Sequence, residues 1–218
     1  MLEIVVIAII VLVVAWGLIY MLAQKPVTLV QKRIHENRYA EAVAEADKQL
    51  VKTPADSALL LHRAEALKLM GRFDDAIVSY REALRRNRDD AAAREGIALS
   101  LSHLGRDLDE AKEIMEQTIA SYPQIQEFQA LALAWILLRR GDRAEALRLF
   151  EDNRVLIETR FKDDYTDPDP LLAETLVLNA ALLDAAGDSA RAAELRAQAA
   201  AWAPGSVWHS RESAIVSG

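Results

Sequence analysis

Apolar residues recur along most of this chain at the spacing of a helix face, in pairs of segments separated by a glycine. The clearest example is the 34-residue stretch from Ser57 to Asp90, in which Leu60, Ala64 and Leu67 share one face and Gly71 interrupts the pattern. A second apolar face follows the glycine: Ala76, Ile77, Tyr80, Ala83 and Leu84. The stretch therefore predicts two helices joined by a tight turn.

The same two-helix unit is predicted about five times. Its expected copies are 23–56, 57–90, 91–125, 127–160 and 173–204. The segment 161–172 interrupts the series as a loop insertion, because it contains two prolines and several aspartates. The tail, 205–218, has no clear period and is expected to be mobile or docked as an extended segment.

The first 23 residues predict a membrane anchor. Ile4 to Ala23 is twenty residues without a charge, which is long enough to cross a bilayer core of about 30 Å. Trp16 and Tyr20 lie towards its end, where aromatic side chains favour the membrane interface. A cleaved signal peptide is the alternative, but Glu3 stands where such a peptide is basic and the apolar run is too long.

Basic residues near the predicted anchor indicate its orientation. They all follow it in this sequence: Lys25, Lys32, Arg33 and Arg38. The positive-inside rule then predicts a single-pass protein of the inner (cell) membrane whose domain 24–204 lies in the cytoplasm. The same basic residues also suit the solvent-facing side of the first repeat, which leaves the opposite orientation open.

Composition excludes several kinds of function. The chain has no cysteine, which removes disulfides, zinc ribbons and thiol catalysis, and its net charge of −7 disfavours nucleic-acid binding. None of the four histidines has the spacing of a metal site. The acidic stretch 163–169 lacks the glycine of a calcium loop and is typical of a solvated linker or a partner-facing loop. We therefore expect no enzyme activity and no catalytic, cofactor-binding or metal-binding residues.

These helix pairs resemble tetratricopeptide repeats, 34-residue units that stack into an α-solenoid. Small residues recur where the two helices of such a unit approach closely, as in Ala64, Ala98, Ala134 and Ala180. The resemblance covers residues from about 23 to 204. It implies an all-α fold, with the N-terminal transmembrane helix followed by a TPR-like α-solenoid of about five helix-turn-helix repeats.

The resemblance also implies a groove lined by the first helix of each repeat, in which a protein or peptide partner would bind. The candidate groove residues are Leu61, Glu65, Leu99, Phe128, Leu131, Trp135, Leu138 and Val177. Their apolar character towards repeats four and five suits an apolar or amphipathic partner segment, with Trp135 as its anchor. Two alternatives remain: Phe128, Leu131 and Trp135 pack between helices, or the tail folds back into the groove through Val207, Trp208, Ile215 and Val216.

The layout points to a non-catalytic, membrane-anchored scaffold or adaptor. It is similar to that of the envelope-assembly adaptors related to lipopolysaccharide assembly protein B, although the cysteine-based metal knuckle of those proteins is missing here. A periplasmic, chaperone-like repeat protein at an envelope or translocation machine is one alternative. An accessory subunit that contacts a larger membrane complex through Ile4–Ala23 is another.

Overall fold

The computed structural model describes residues 27–123, 126–163 and 168–210, and these residues form helices and turns with no β-strand. The expectation of an all-α, TPR-like array is therefore confirmed. The predicted anchor, Ile4–Ala23, lies outside the described residues. Among the residues that are described, no helix combines the length and the apolar composition needed to cross a membrane.

Four helix pairs follow the chain in order and a fifth comes after the insertion. The helix α1 covers 27–35, and the others are α2 (Tyr39–Leu50), α3 (Ser57–Leu69), α4 (Phe73–Arg86), α5 (Ala91–Leu104), α6 (Leu108–Ser121), α7 (Gln126–Arg140), α8 (Arg143–Asp163), α9 (Ala173–Ala186) and α10 (Ser189–Trp202). A 3₁₀ turn, Pro170–Leu172, precedes α9. A short helix, α11 (Val207–Ser210), ends the described chain.

The turn inside each pair has the same left-handed residue. Asn37, Gly71, Gly105, Gly141 and Gly187 all have φ between +59° and +97°. Glycine adopts this conformation without a steric penalty, and asparagine is one of the few other residues that tolerate it. The glycines that interrupt the hydrophobic pattern are therefore the points at which the chain reverses.

Close packing between consecutive helices depends on small side chains. Ala64, Ala98 and Ala134 are all fully buried, as the resemblance implied. The tightest approach is at Gly96 on α5, where a Cβ atom would lie 2.3 Å from the ring of Tyr80 on α4. Glycine is thus required at this position by the neighbouring ring and not by its backbone angles.

The fifth pair does not continue the stack. In the first three pairs, the second helix of each pair packs against the first helix of the next, whereas α9, apart from its own partner α10, packs more against α7 than against α8. The chain just before α9 crosses to the start of the array, where Asp169 Oδ1 lies 3.5 Å from Nδ1 of His35 on α1. The side of the array formed by α1, α3, α5 and α7, which we call the inner face, is therefore covered in part by α9.

The helix α8 that precedes this departure is also the longest. It has 21 residues, while the other described helices of the pairs from α2 onwards have 12 to 15. Residues 161–163, predicted as part of the loop insertion 161–172, are the last residues of α8.

The tail also differs from the prediction of a mobile or extended segment. Val207–Ser210 forms a helical turn, and Trp208 is buried. The helix α11 packs against α10 and α9. Ile215 and Val216, which were considered as groove-filling residues, lie outside the described chain.

Candidate functional site

The predicted groove is only partly open. Of its eight candidate residues, four are half-buried: Leu61, Glu65, Phe128 and Leu138. The other four are buried: Leu99, Leu131, Trp135 and Val177. On the inner face α9 lies against α7, and Val177 belongs to α9 itself.

Trp135 is a core residue. Its side chain is 2% exposed, and its indole Nε1 donates a hydrogen bond to Ser102 Oγ at 3.0 Å. Its ring centroid lies 5.8 Å from that of His103. Because its indole N–H is hydrogen-bonded and its ring is buried, Trp135 has no exposed surface with which to anchor a partner.

A buried polar cluster, here called the Glu174 cluster, joins α9 to α3 and α5. Glu174 accepts hydrogen bonds from the ammonium group of Lys68 and, at 2.8 Å, from Nε2 of His103. Lys68 and His103 lie in the last turns of α3 and α5, and Glu174 lies in the first turn of α9. The charges of Lys68 and Glu174 therefore also match the dipoles of their own helix termini.

The pKa of Glu174 is strongly shifted by its neighbours in the cluster. Burial by itself would raise the pKa of Glu174, but the charge of Lys68 and the hydrogen bond from His103 outweigh it and hold this pKa at about 2. The carboxylate is thus an acceptor only, so Nε2 of His103 carries the proton of that hydrogen bond. The cluster is a fixed ionic clamp between the two parts of the array.

Glu95 of α5 has the opposite shift. Burial raises its pKa to about 7, the charge of Lys68 lowers it, and the negative charge of Glu174 raises it further. Lys68 is thus ion-paired with Glu174, and its charge does not offset the burial of Glu95. The hydrophobic pattern does not bring Glu95, Glu174 and Lys68 together, because they lie on three different helices, α5, α9 and α3.

An aromatic cluster extends from the Glu174 cluster to α11. The ring of His103 lies 5.1 Å from that of Phe73 and 4.8 Å from that of Trp208. Val207 lies beside Gly71, where a Cβ atom would come within 3.0 Å of its Cγ2 atom. Val207 and Trp208 of the tail therefore pack at the α3–α4 turn and against Phe73 and His103, while the predicted insertion of the tail into the groove also involved Ile215 and Val216.

An open cleft of about 540 Å³ separates α8 from α9 and α10, where the loose packing of the fifth pair leaves space. Three leucines form its apolar lining: Leu176, Leu183 and Leu195. Four charged residues also line it: Arg154, Glu158, Asp188 and Arg191. Asn179 lies among these groups, is 4% exposed and makes no side-chain hydrogen bond to another described residue.

Within the described residues, no group of three or more His, Asp or Glu side chains is placed to hold a metal ion. Two of the histidines instead pair with glutamates. His62 Nδ1 lies 2.6 Å from Glu65 Oε2 on the same helix, and His103 belongs to the Glu174 cluster.

Comparison with protein families identifies two of the repeats. Residues 57–90 match one family model described as tetratricopeptide repeat, and residues 92–124 match a second with the same description. Two of the helix pairs, α3–α4 and α5–α6, therefore match tetratricopeptide repeats. No curated protein matches the chain.

Solved structures show the same fold at low sequence identity. A thermophilic TPR protein of Thermus thermophilus has a TM-score of 0.60 and 18% identity, over 83% of this chain and 91% of that one. MamA of Desulfovibrio magneticus RS-1 has a TM-score of 0.56 and 14% identity, over 88% and 97%. A chain of the APC/C hetero-tetramer Cut9–Hcn1 has a TM-score of 0.61 and 16% identity, over 81% of this chain and 32% of that one.

Proposed function

We propose that this protein is a membrane-anchored scaffold that holds a partner protein beside the cytoplasmic face of the inner membrane. The tetratricopeptide repeats support the scaffold role. The apolar, uncharged stretch Ile4–Ala23 supports the anchor, and the basic residues that follow it support the orientation.

The partner occupies the open cleft between α8 and the α9–α10 pair. The observation that supports this site is the environment of Asn179. This residue is nearly buried at the wall of the cleft, and its amide has no hydrogen-bond partner among the residues the structure describes. An amide side chain has both a donor and an acceptor, which matches the N–H and C=O groups of an extended peptide backbone. The unpaired amide therefore favours a peptide as the occupant.

The rest of the lining specifies that peptide further. The leucines lie buried beneath the cleft and form its floor. The charged residues of the lining are two arginines and two acidic residues, so their net charge is zero. A rim without net charge suits a polypeptide better than a phosphate polymer, which needs a basic surface.

Site-specific photocrosslinking in native membranes tests the cleft. A photoreactive amino acid at Gln198, which lines the cleft, is expected to capture one partner protein, while the same group at exposed Glu113 on α6 captures none. Capture supports the site only when Asn179→Ala reduces it at least about fivefold. Asn153→Ala is the matched control, because the Asn153 amide already donates to the Leu149 carbonyl group within α8.

Membrane attachment and orientation are tested separately. The full chain is expected to resist alkaline extraction from membranes, and a chain in which Ile4–Ala23 is deleted is expected to become extractable. Alkaline phosphatase fused after residue 218 is expected to be inactive and green fluorescent protein at the same place fluorescent. An active phosphatase would instead indicate that the domain lies in the periplasm, which is the alternative orientation.

A further inference from the structure

We infer that one rim of the helix array lies on the surface of the bilayer and inserts exposed apolar side chains between the phospholipid headgroups. This rim consists of the first turns of α1, α3, α5 and α7, the last turns of α2, α4 and α6, and the part of α8 beside the start of α7. We call it the tether rim. The inference rests on the proposed membrane anchor, but it concerns a second contact with the same membrane.

The tether rim is a single edge because the two helices of each pair run in opposite directions. Connections of two or three residues join them, such as 141–142 between α7 and α8, and such short connections are typical of antiparallel neighbours. The loops between successive pairs therefore lie at the edge opposite the glycine turns. A hydrogen bond from the Tyr122 hydroxyl group to the Asp89 carbonyl group, at 2.7 Å, joins two of these loops.

The sequence brings this rim close to the membrane. Three residues separate Ala23, the last residue of the proposed anchor, from Val27 in α1. Even when fully extended, this connection spans no more than about 14 Å. The C-cap of α2 is Val51, which lies at the same edge as the start of α1 because α1 and α2 are antiparallel. The end of the rim formed by α1 and α2 is therefore near the bilayer.

Exposed apolar side chains are concentrated at the tether rim. Among the described residues, the exposed large apolar side chains are Val51 (84%), Val155 (75%), Val78 (64%) and Leu156 (52%). Val155 and Phe128 are equally far from the 141–142 turn, so Val155 and its neighbour Leu156 lie beside the start of α7. Only Val78, in the middle of α4, is away from the rim.

The position of these side chains indicates what covers them. Single exposed apolar residues on a protein surface need no partner. Here they occupy both ends of the one rim that the proposed anchor holds close to lipid. Apolar side chains in such a place are buried at the boundary between headgroups and acyl chains. The bilayer surface is therefore the occupant that the arrangement favours.

The charged side chains of the rim permit this contact. At the ends of α2 and α4, the exposed basic residues Lys52 and Arg88 have no ion-pair partner among the described residues, against one such acid, Asp89. Asp56 and Asp90 instead accept backbone hydrogen bonds as the N-caps of α3 and α5. Long basic side chains can extend to lipid phosphates while their stems stay in apolar surroundings.

Fluorescence quenching in vesicles tests the inference on the full chain. The chain has no cysteine, so a single introduced cysteine is its only site for the fluorophore NBD. Val51→Cys, Val155→Cys and Val78→Cys are labelled and incorporated into vesicles of phosphatidylcholine and phosphatidylglycerol, with and without a lipid whose acyl chain carries a nitroxide quencher. We expect the loss of about half of the fluorescence or more at positions 51 and 155, and of less than about a tenth at position 78.

Val78→Cys is the matched control variant, because it replaces an exposed residue of the same type away from the rim. Equal quenching at position 78 would mean that the whole array adsorbs non-specifically, which would overturn the inference. Quenching at Val51→Cys alone would also overturn it. Position 51 is close to the anchor in any case, whereas Val155 approaches the membrane only when the rim lies on it.

A second pair of variants tests whether apolar side chains hold the contact. With the label at Leu156→Cys, adding Val155→Asp is expected to reduce the quenching at least about threefold, because a carboxylate is costly to bury in lipid. Adding Val78→Asp should leave the quenching unchanged. Equal losses, or no loss with Val155→Asp, would overturn the inference. Both substitutions replace exposed residues, and unchanged helical circular dichroism confirms that the variants are folded.

Different results refute the anchor and the rim contact. A chain that does not float with the vesicles in a density gradient would refute the anchor and, with it, the rim contact. A chain that floats while position 155 stays unquenched would refute the rim contact alone. The side of the membrane on which the domain lies does not affect this test, because the tether rim follows the anchor on either side.

Discussion

The carboxylate of Glu174 is hydrogen-bonded to the ammonium group of Lys68, 106 residues earlier in the chain. Both side chains are nearly buried, and His103 is the second donor to the same carboxylate. This contact fixes the first turn of α9 to the ends of α3 and α5. It is the point at which the fifth helix pair is held across the inner face instead of extending the stack.

Replacing Glu174 tests the importance of this contact. Glu174→Ala leaves a buried ammonium group without its acceptor, which typically costs about 3–5 kcal/mol. The expected result is a decrease of this size in the free energy of unfolding, measured by urea denaturation and circular dichroism. As a control, Glu110→Ala removes an exposed ion pair with Arg81 and is expected to cost less than about 1 kcal/mol. Similar losses in both variants would contradict the clamp.

The pKa of Glu174 predicts an acid-dependent part of the stability. Because this pKa is about 2 in the folded state and 4.5 in the reference state, the contribution is complete above pH 4.5 and is lost as the pH falls from 4.5 towards 2. Its full size is about 3 kcal/mol. The free-energy difference between the unchanged chain and Glu174→Gln should therefore shrink between pH 6 and pH 3. A difference that is constant with pH would show that the carboxylate is not ionically bound.

Glu95 should make the free energy of unfolding depend on pH in the opposite direction. Its folded pKa of about 7 lies above the reference value of 4.5, so its contribution to stability is complete below pH 4.5 and is lost as the pH rises through 7. Glu95→Gln removes the buried negative charge. We expect it to stabilise the chain by about 1–2 kcal/mol at pH 8, after allowance for its partial solvent contact, and by little at pH 4.5. Urea denaturation at the two pH values measures both.

Trp135→Ala distinguishes a core residue from a binding residue. An open groove would let this substitution weaken partner capture with little change in melting. The structure instead predicts a loss of about 3–5 kcal/mol, since a buried indole ring is removed and Ser102 loses its hydrogen-bond donor. Val155→Ala on α8, where Val155 is 75% exposed, should change stability by less than about 0.5 kcal/mol. An unchanged melting temperature in Trp135→Ala would restore the groove assignment.

Gly96→Ala tests the close approach of α4 and α5. Alanine is normally better than glycine within a helix by about 1 kcal/mol. Here its Cβ atom would overlap the buried Tyr80 ring, and we expect a net loss of about 2 kcal/mol in unfolding free energy. In a Tyr80→Leu background the overlap is absent. Gly96→Ala should then be neutral or stabilising, and the same loss in both backgrounds would show that the ring contact is not the cause.

The helix pairs were predictable because their signals are local. Apolar residues at helical spacing mark the packed faces, and glycine marks the turn, so residues such as Leu67 and Gly71 indicate their roles without knowledge of distant residues. The small residues at Ala64 and Ala98 were equally informative, because close helix contact has the same requirement in every repeat.

The candidate site was less predictable. Leu99, Leu131, Trp135 and Val177 were assigned to an open groove on the assumption that each repeat stacks as the previous one does. Apolar side chains have the same pattern whether they face a partner or another part of the chain. Glu174 in the first turn of α9 gave no clear signal either, because an acid at this position ordinarily complements the helix dipole.

Local signals in the amino-acid chain were enough to define a series of short helix pairs behind an apolar N-terminal stretch, since hydrophobic spacing and turn residues act over a few positions. Three other features emerged only from the folded arrangement: the fifth pair covers part of the inner face, Trp208 packs against Phe73 and His103, and a cleft opens beside α8. They depend on contacts between residues far apart in the chain, such as Lys68 with Glu174. Many pairings of apolar and charged groups satisfy the same local pattern, and three-dimensional packing selects one of them.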